Sequence, residues 1–179
     1  MEENILLWLQ NNMRSEFLDK IMVFITNLGN KGILWIILSL LFLIIPKMRK
    51  IGIMTSVSLI CDLLLVNILI KNIVRRRRPY EVIEGLTSVI EKQSDFSFPS
   101  GHTAASFAFA FVLMLKAPKK ISVPVMITAV MISFTRLYLG VHYPTDIIGG
   151  IVIGFVCSLI SITLVNFIEK KIKAKKGTL

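Results

Sequence analysis

Long apolar blocks, broken at intervals by basic residues, constrain this chain more than any other feature. They cover residues 32–45, 51–70, 103–115, 121–139 and 147–168. A bilayer core asks for about 20 consecutive apolar residues in a helix. The second, fourth and fifth blocks meet that length, while the first and third must borrow flanking residues, with Lys31 and Lys116 reaching outward. Composition agrees: 54% of residues are hydrophobic, 18% are charged and the mean hydropathy is +0.72, too apolar for an ordinary soluble domain. The expected fold is all-α, a polytopic membrane bundle of five to six transmembrane helices built as one domain over 1–179. The block 17–28 is the open case. Because it carries Asp19 and Lys20, it reads as a helix lying at the interface rather than a sixth span. The core is then 29–169, followed by a basic tail at 170–179.

The net charge of +10 would suggest nucleic acid in a soluble protein. Here Lys and Arg sit at the ends of apolar blocks, so no nucleic acid is expected and anionic lipid is the better partner. Lys47, Arg49 and Lys50, then Lys116, Lys119 and Lys120, then Lys170 to Lys176 follow alternate spans and share one side, cytoplasmic by the positive-inside rule. The connections 75–101 and 140–146 then face outward, although Arg75 to Arg78 count against this. No cleavable signal is expected, since Glu2 and Glu3 open the chain and polar Gln10, Asn11 and Asn12 interrupt the first apolar run. Cys61 and Cys157 lie in apolar blocks and read as small hydrophobes, not a disulfide pair.

The unusual polar residues converge on the outward ends of different spans. Lys71 closes the second, and a continuing helix would stack it with Asn67, Arg75 and Arg78, a cation face suited to an oxyanion. A polybasic lipid anchor is the competing reading. Pro99-Ser100-Gly101-His102 opens the third span, where free backbone N–H groups and the helix dipole make an anion site; Ser100 as a plain N-cap and His102 as an interfacial histidine are the bland alternative. Arg136 ends the fourth span and needs a counter-ion, which a phosphate would supply. Pro144 suits the first turn of the fifth, placing Asp146 close enough to His142 to hold one imidazole nitrogen while the other faces the site. Gly150 and Gly154 would let a second helix approach, with two ordinary glycines of a membrane helix as the equal alternative, and 81–98 reads as an irregular loop, a candidate lid. Asp62 falls roughly on the face opposite Lys71, and as an intramembrane carboxylate it reads equally as a functional candidate and as a protonated or hydrogen-bonded packing residue.

These blocks resemble the type 2 phosphatidic acid phosphatase family, which shares its core with vanadium haloperoxidases. The chain carries Lys71 to Arg78-Pro79, Pro99-Ser100-Gly101-His102, and Thr135-Arg136 to His142 to Asp146, with every family spacing and only Thr135 in place of the usual Ser. The resemblance implies a haloperoxidase-like helical core, His142 as nucleophile forming a phosphohistidine, Asp146 orienting it, and His102 as general acid. It also implies that Lys71, Arg78, Ser100, Gly101 and Arg136 cradle the phosphate, with no metal and no other cofactor. The implied substrate is a membrane lipid phosphate or diphosphate. Undecaprenyl diphosphate at the outer face of a bacterial inner membrane is favoured; phosphatidylglycerophosphate, phosphatidic acid and lipid A phosphates suit the same chemistry. Phosphotransfer to another acceptor, and a non-catalytic binder or transporter of lipid phosphates, are the rival classes. Arg75, Arg76 and Arg77 fall outside the matched positions and are expected at lipid headgroups.

Overall fold

The computed structural model describes residues 1–176, which form helices and connecting loops with no strand among them. Residues 177–179, the end of the expected basic tail, lie outside the described residues. The helices are α1 (Glu2–Met13), α2 (Glu16–Leu28), α3 (Ile33–Ile44), α4 (Arg49–Asp62), α5 (Lys71–Val74), α6 (Pro79–Val82), α7 (Gly101–Lys116), α8 (Lys119–Tyr138) and α9 (Pro144–Lys176). Among the described residues, four segments are long and apolar enough to cross a membrane: Glu16–Ile44, Arg49–Val82, Lys119–Tyr138 and Pro144–Lys175. Their outer faces carry half-exposed Ile36, Leu40, Ile60, Leu63, Val152 and Leu164, as lipid contact requires.

Helix α7 has 16 residues, about 24 Å at 1.5 Å per residue. It can be that short because it hardly meets lipid. Ala104, Ala108, Phe109, Ala110, Val112 and Leu113 are fully buried beneath α4, α8 and α9, and a helix apolar on every side belongs inside. Helix α9 packs closest. A Cβ on Gly154 would sit 2.7 Å from the Ala104 carbonyl oxygen, and one on Gly150 would sit 2.9 Å from Thr103 Cβ. The two glycines do let another helix approach, and that helix is α7. At the end of the bundle away from the mouth, Lys50 and Lys173 both reach Glu169, at 2.5 and 2.8 Å.

The block 17–28 forms α2, capped by Ser15 Oγ, which accepts from the Leu18 N–H. A bend at Lys31 and Gly32, with φ of 52° and 67°, joins it to α3, so the first expected span is part of the 29-residue segment Glu16–Ile44. Phe17, Phe24 and Leu28 form an exposed apolar stripe on α2, whose other face packs on α8. Helix α1 lies across the mouth. Its Leu6 packs with Ile83, Leu86 and Tyr143, and Gln10 donates to the Gly85 carbonyl and accepts from the Thr87 N–H, both at 2.8 Å.

Two sequence expectations fail in the second span. Nine residues from Asp62 to Lys71 make about two and a half α-helical turns, hence opposite faces. The chain instead loosens into a π-helical stretch over Leu63–Ile70, which turns less per residue, and both side chains line one cavity. The helix also stops at Val74 instead of running on to Arg78. Arg75 adopts a left-handed φ of 49° and points away, its Nε donating to the Asn72 carbonyl.

Candidate active site

The turn between α8 and α9 presents His142, buried with only 1% exposure. Gly140, at φ 74°, makes the turn, and Pro144 starts α9 so that Asp146 falls in its first turn. Asp146 is fully buried, and its Oδ2 accepts from Ser97 Oγ at 2.5 Å and the Tyr143 N–H at 2.8 Å. The same oxygen lies 3.3 Å from His142 Nδ1. With Nδ1–H directed at the carboxylate, the His142 Nε2 lone pair faces Arg78 Nη1, 3.2 Å away. Burial pushes the His142 pKa down to about 3; the hydrogen bond to Asp146 works against burial, while the charges of Arg78 and Arg136 add to it. The ring is therefore neutral at physiological pH, the state a nitrogen nucleophile needs.

Three expected cations surround it. Lys71, Arg78 and Arg136 are all buried and all line the cavity that His142 enters. Lys71 and Arg78 are joined by a residue the sequence did not single out. Asp95, from the loop before α7, accepts from Lys71 Nζ on one oxygen and from Arg78 Nη2 on the other, at 2.5 Å. Its backbone carbonyl takes Arg78 Nε at 3.0 Å. Burial raises the Asp95 pKa, but Lys71 and Arg78 outweigh it and hold the carboxyl at about 2. Arg136 has no such partner. Its Nη1 donates to Thr26 Oγ1 at 2.6 Å, its buried Nε bonds nothing, and no carboxylate pairs with it among the described residues. A buried guanidinium in that state is costly until an anion arrives.

The other histidine sits where α7 begins. Asn30, in the bend between α2 and α3, keeps its NH₂ on Asn27 and offers Oδ1 to His102 Nε2 at 2.9 Å. A Cβ on Gly29 would lie 2.9 Å from the His102 ring, so the bend must be bare there for His102 to fit. Gly101 lines the cavity, and a Cβ on it would be 3.6 Å from Lys71 Nζ. The Ser100 hydroxyl faces α7 itself: Oγ accepts from the Thr103 N–H and from Thr103 Oγ1, at 3.4 and 3.0 Å, as an N-cap does. The cavity is about 640 Å³, charged at the histidines and apolar between α3 and α4, where Ile36, Leu40, Leu59, Ile60 and Leu63 line it.

Every residue expected at the site is at this mouth; Lys71, Arg78, Gly101, His102, Arg136 and His142 line the cavity, whereas Asp146 lies buried behind His142 and the Ser100 hydroxyl serves the start of α7. Asp95, Ser97, Asn30, Thr26 and Arg76 were missed. Nothing in spacing separates Asp95 from Glu81, Glu84 or Glu91 in the same loop, and Asn30 and Thr26 come from a segment read only for its hydropathy. Arg76, expected at headgroups, donates to Asp146 Oδ1 at 2.7 Å. Fold and geometry together define a multi-pass membrane protein with an anion-seeking cavity set against two histidines.

Comparison with known proteins is consistent with that class. Residues 51–170 match the PAP2 superfamily. The chain is 32% identical to an undecaprenyl-diphosphatase of Sulfolobus acidocaldarius over 88% of this chain and 78% of that one. Its fold is similar to the crystal structure of Aquifex aeolicus LpxE, with a TM-score of 0.75, 30% identity, and coverage of 87% of this chain and 92% of that one. It is also similar to a PAP2-type phosphatidylglycerolphosphate phosphatase of Bacillus subtilis, with a TM-score of 0.73 at 27% identity over 96% and 85% of the two chains. The chain belongs to the PAP2 superfamily and is a membrane phosphatase of that type.

Proposed function

We propose that this protein hydrolyses a lipid phosphate or diphosphate through a phosphohistidine on His142, with undecaprenyl diphosphate the favoured substrate. One observation carries the reading: His142 has Nδ1 held by buried Asp146 while Nε2 keeps its lone pair, in a cavity whose cations include a buried arginine with no counter-ion. In the first step Nε2 attacks phosphorus, the bond to the leaving oxygen breaks, and His102 donates the proton that oxygen needs. Water then attacks the phosphohistidine with His102 as base, releasing phosphate and restoring neutral His142. Lys71, Arg78, Arg136 and the N-terminus of α7 at Gly101 would hold the equatorial oxygens as charge develops, the task a metal ion performs elsewhere.

The cavity favours an amphiphile, because its charged end leads into an apolar channel walled by residues that also face outward from α3 and α4. The undecaprenyl-diphosphatase relative supports a polyprenyl diphosphate in it, and an extracytoplasmic opening fits the distribution of basic residues. Phosphate release from purified protein given isoprenyl diphosphate, phosphatidylglycerophosphate, phosphatidic acid and lipid A phosphate, with EDTA present, tests both substrate and metal independence. Rapid quench of ³²P-labelled substrate in alkaline detergent should trap an acid-labile, alkali-stable adduct that is absent in H142A. Turnover that stops in EDTA, or an adduct that survives H142A, contradicts the mechanism.

A further inference from the structure

The catalytic carboxylate has two oxygens, and the mechanism above uses only one. Asp146 Oδ2 serves Ser97, the Tyr143 N–H and His142, whereas Oδ1 accepts a single hydrogen bond, from Arg76 Nη1 at 2.7 Å. Asp146 is entirely buried, as is the imidazole beside it. Among the described residues, Arg76 is thus the one Lys or Arg in hydrogen-bond contact with a buried carboxylate that must stay charged to orient its histidine.

The rest of the Arg76 environment fixes its guanidinium. Nη1 also donates to Thr145 Oγ1 at 2.7 Å, Nη2 pairs with Glu2 at 2.8 Å, and the plane lies 3.7 Å over the Tyr143 ring. Its carbonyl accepts from the N–H of Ser97, whose hydroxyl reaches the same carboxylate. Glu2, on α1, in turn accepts from Thr145 N–H and Oγ1 at 2.9 and 2.6 Å. The neighbours behave differently: Arg75 bonds only its own helix end, and Arg77 is exposed beside Glu81 at 3.6 Å. The left-handed turn at Arg75 brings Arg76 to Asp146 and Arg78 to His142 Nε2, so two arginines two residues apart grip the two ends of the histidine–carboxylate pair.

We propose that Arg76 is a positioning residue for the nucleophile, acting on His142 through Asp146, and that helix α1 takes part by holding Arg76 through Glu2. This rests on the assignment of His142 as nucleophile. The test uses the full chain in detergent with one lipid phosphate that the wild type hydrolyses, comparing R76Q, R76K, E2Q and R77Q. R76Q should lower kcat by about 10- to 100-fold, the cost of losing an outer partner of a catalytic ligand, with KM within about twofold. R76K, which keeps the charge but not the planar fork, should fall between, E2Q should lose a few-fold in kcat, and R77Q should match wild type. In single turnovers of D146N, adding R76Q should cost less than about twofold more, since the effect passes through Asp146.

A wild-type kcat in R76Q sinks the proposal, as does a raised KM at constant kcat on anionic vesicles, the signature of a headgroup contact. A full further loss on top of D146N also sinks it. Should R76Q fail to fold, R76K and E2Q decide by the same split between kcat and KM. A wild type inactive on every lipid phosphate would instead remove the proposed function beneath.

Discussion

Asp95 shows how a site carries its own counter-charge. With no phosphate bound, Lys71 and Arg78 would be two buried like charges facing a cavity, and the Asp95 carboxylate answers both. On the proposed function a phosphate oxyanion would compete for the same donors, and Asp95 would then set the affinity for an entering anion. Its side chain is 48% exposed, which makes the contacts exchangeable and worth about 1 kcal/mol. D95N should accordingly tighten inhibition by vanadate and by inorganic phosphate by about fivefold, measured as inhibition constants at fixed pH; unchanged or weaker inhibition would show that Asp95 does not occupy the anion's place. The histidines, Asp146 and the three cations were legible in the sequence because fixed spacing carries them to one end of the bundle. Asp95, Asn30 and Arg76 were not, since their roles depend on a loop path, a helix bend and a left-handed residue that spacing does not encode.

At the scale of elements, the candidate site depends on register between two helices. His102 stands at the start of α7 and Asp146 at the start of α9, and the Ser100 N–H donates to the Asp146 carbonyl at 3.1 Å, tying the two starts together. Gly150 and Gly154 set how closely the helices lie. A methyl group at 154 would meet the Ala104 carbonyl oxygen and the Ala108 nitrogen at 2.7 and 2.8 Å, backbone atoms that cannot rotate aside. G154A should therefore destabilise by about 1–3 kcal/mol and reduce turnover, read as a lower midpoint of thermal unfolding in detergent together with a lower kcat. Unchanged stability would mean that α7 and α9 tolerate a wider spacing. The glycine pair was visible from sequence, but its partner was not. The π-helical stretch had no signal at all: an α-helical period assumed throughout put Asp62 on the wrong face, and only the local loosening at Leu63–Ile70 returns it to the cavity wall.

For the whole molecule, hydropathy blocks made the bundle readable, whereas sidedness rests on charge. Arg75 to Arg78, counted as free positive charge, argue for a cytoplasmic mouth. The structure changes that count. Arg76 pairs with Glu2 and Asp146, Arg77 with Glu81 and Arg78 with Asp95, so most of the cluster's charge is answered locally. At the opposite end, the single carboxylate Glu169 answers Lys50 and Lys173, with Lys47, Arg49, Lys116, Lys119, Lys120, Lys170 and Lys171 also on the connections and helix ends there. The Lys and Arg at the end away from the site outnumber the four arginines Arg75 to Arg78, three of which are held in place by local carboxylates, so that end should face the cytoplasm. In a chain whose Cys61 and Cys157 are replaced by Ala, K92C on the exposed part of the loop over the site should react with a membrane-impermeant maleimide in intact cells, and K120C should react only after the cells are opened. The reverse pattern would turn the protein over in the membrane, placing hydrolysis on the cytoplasmic face and excluding any lipid phosphate confined to the outer leaflet.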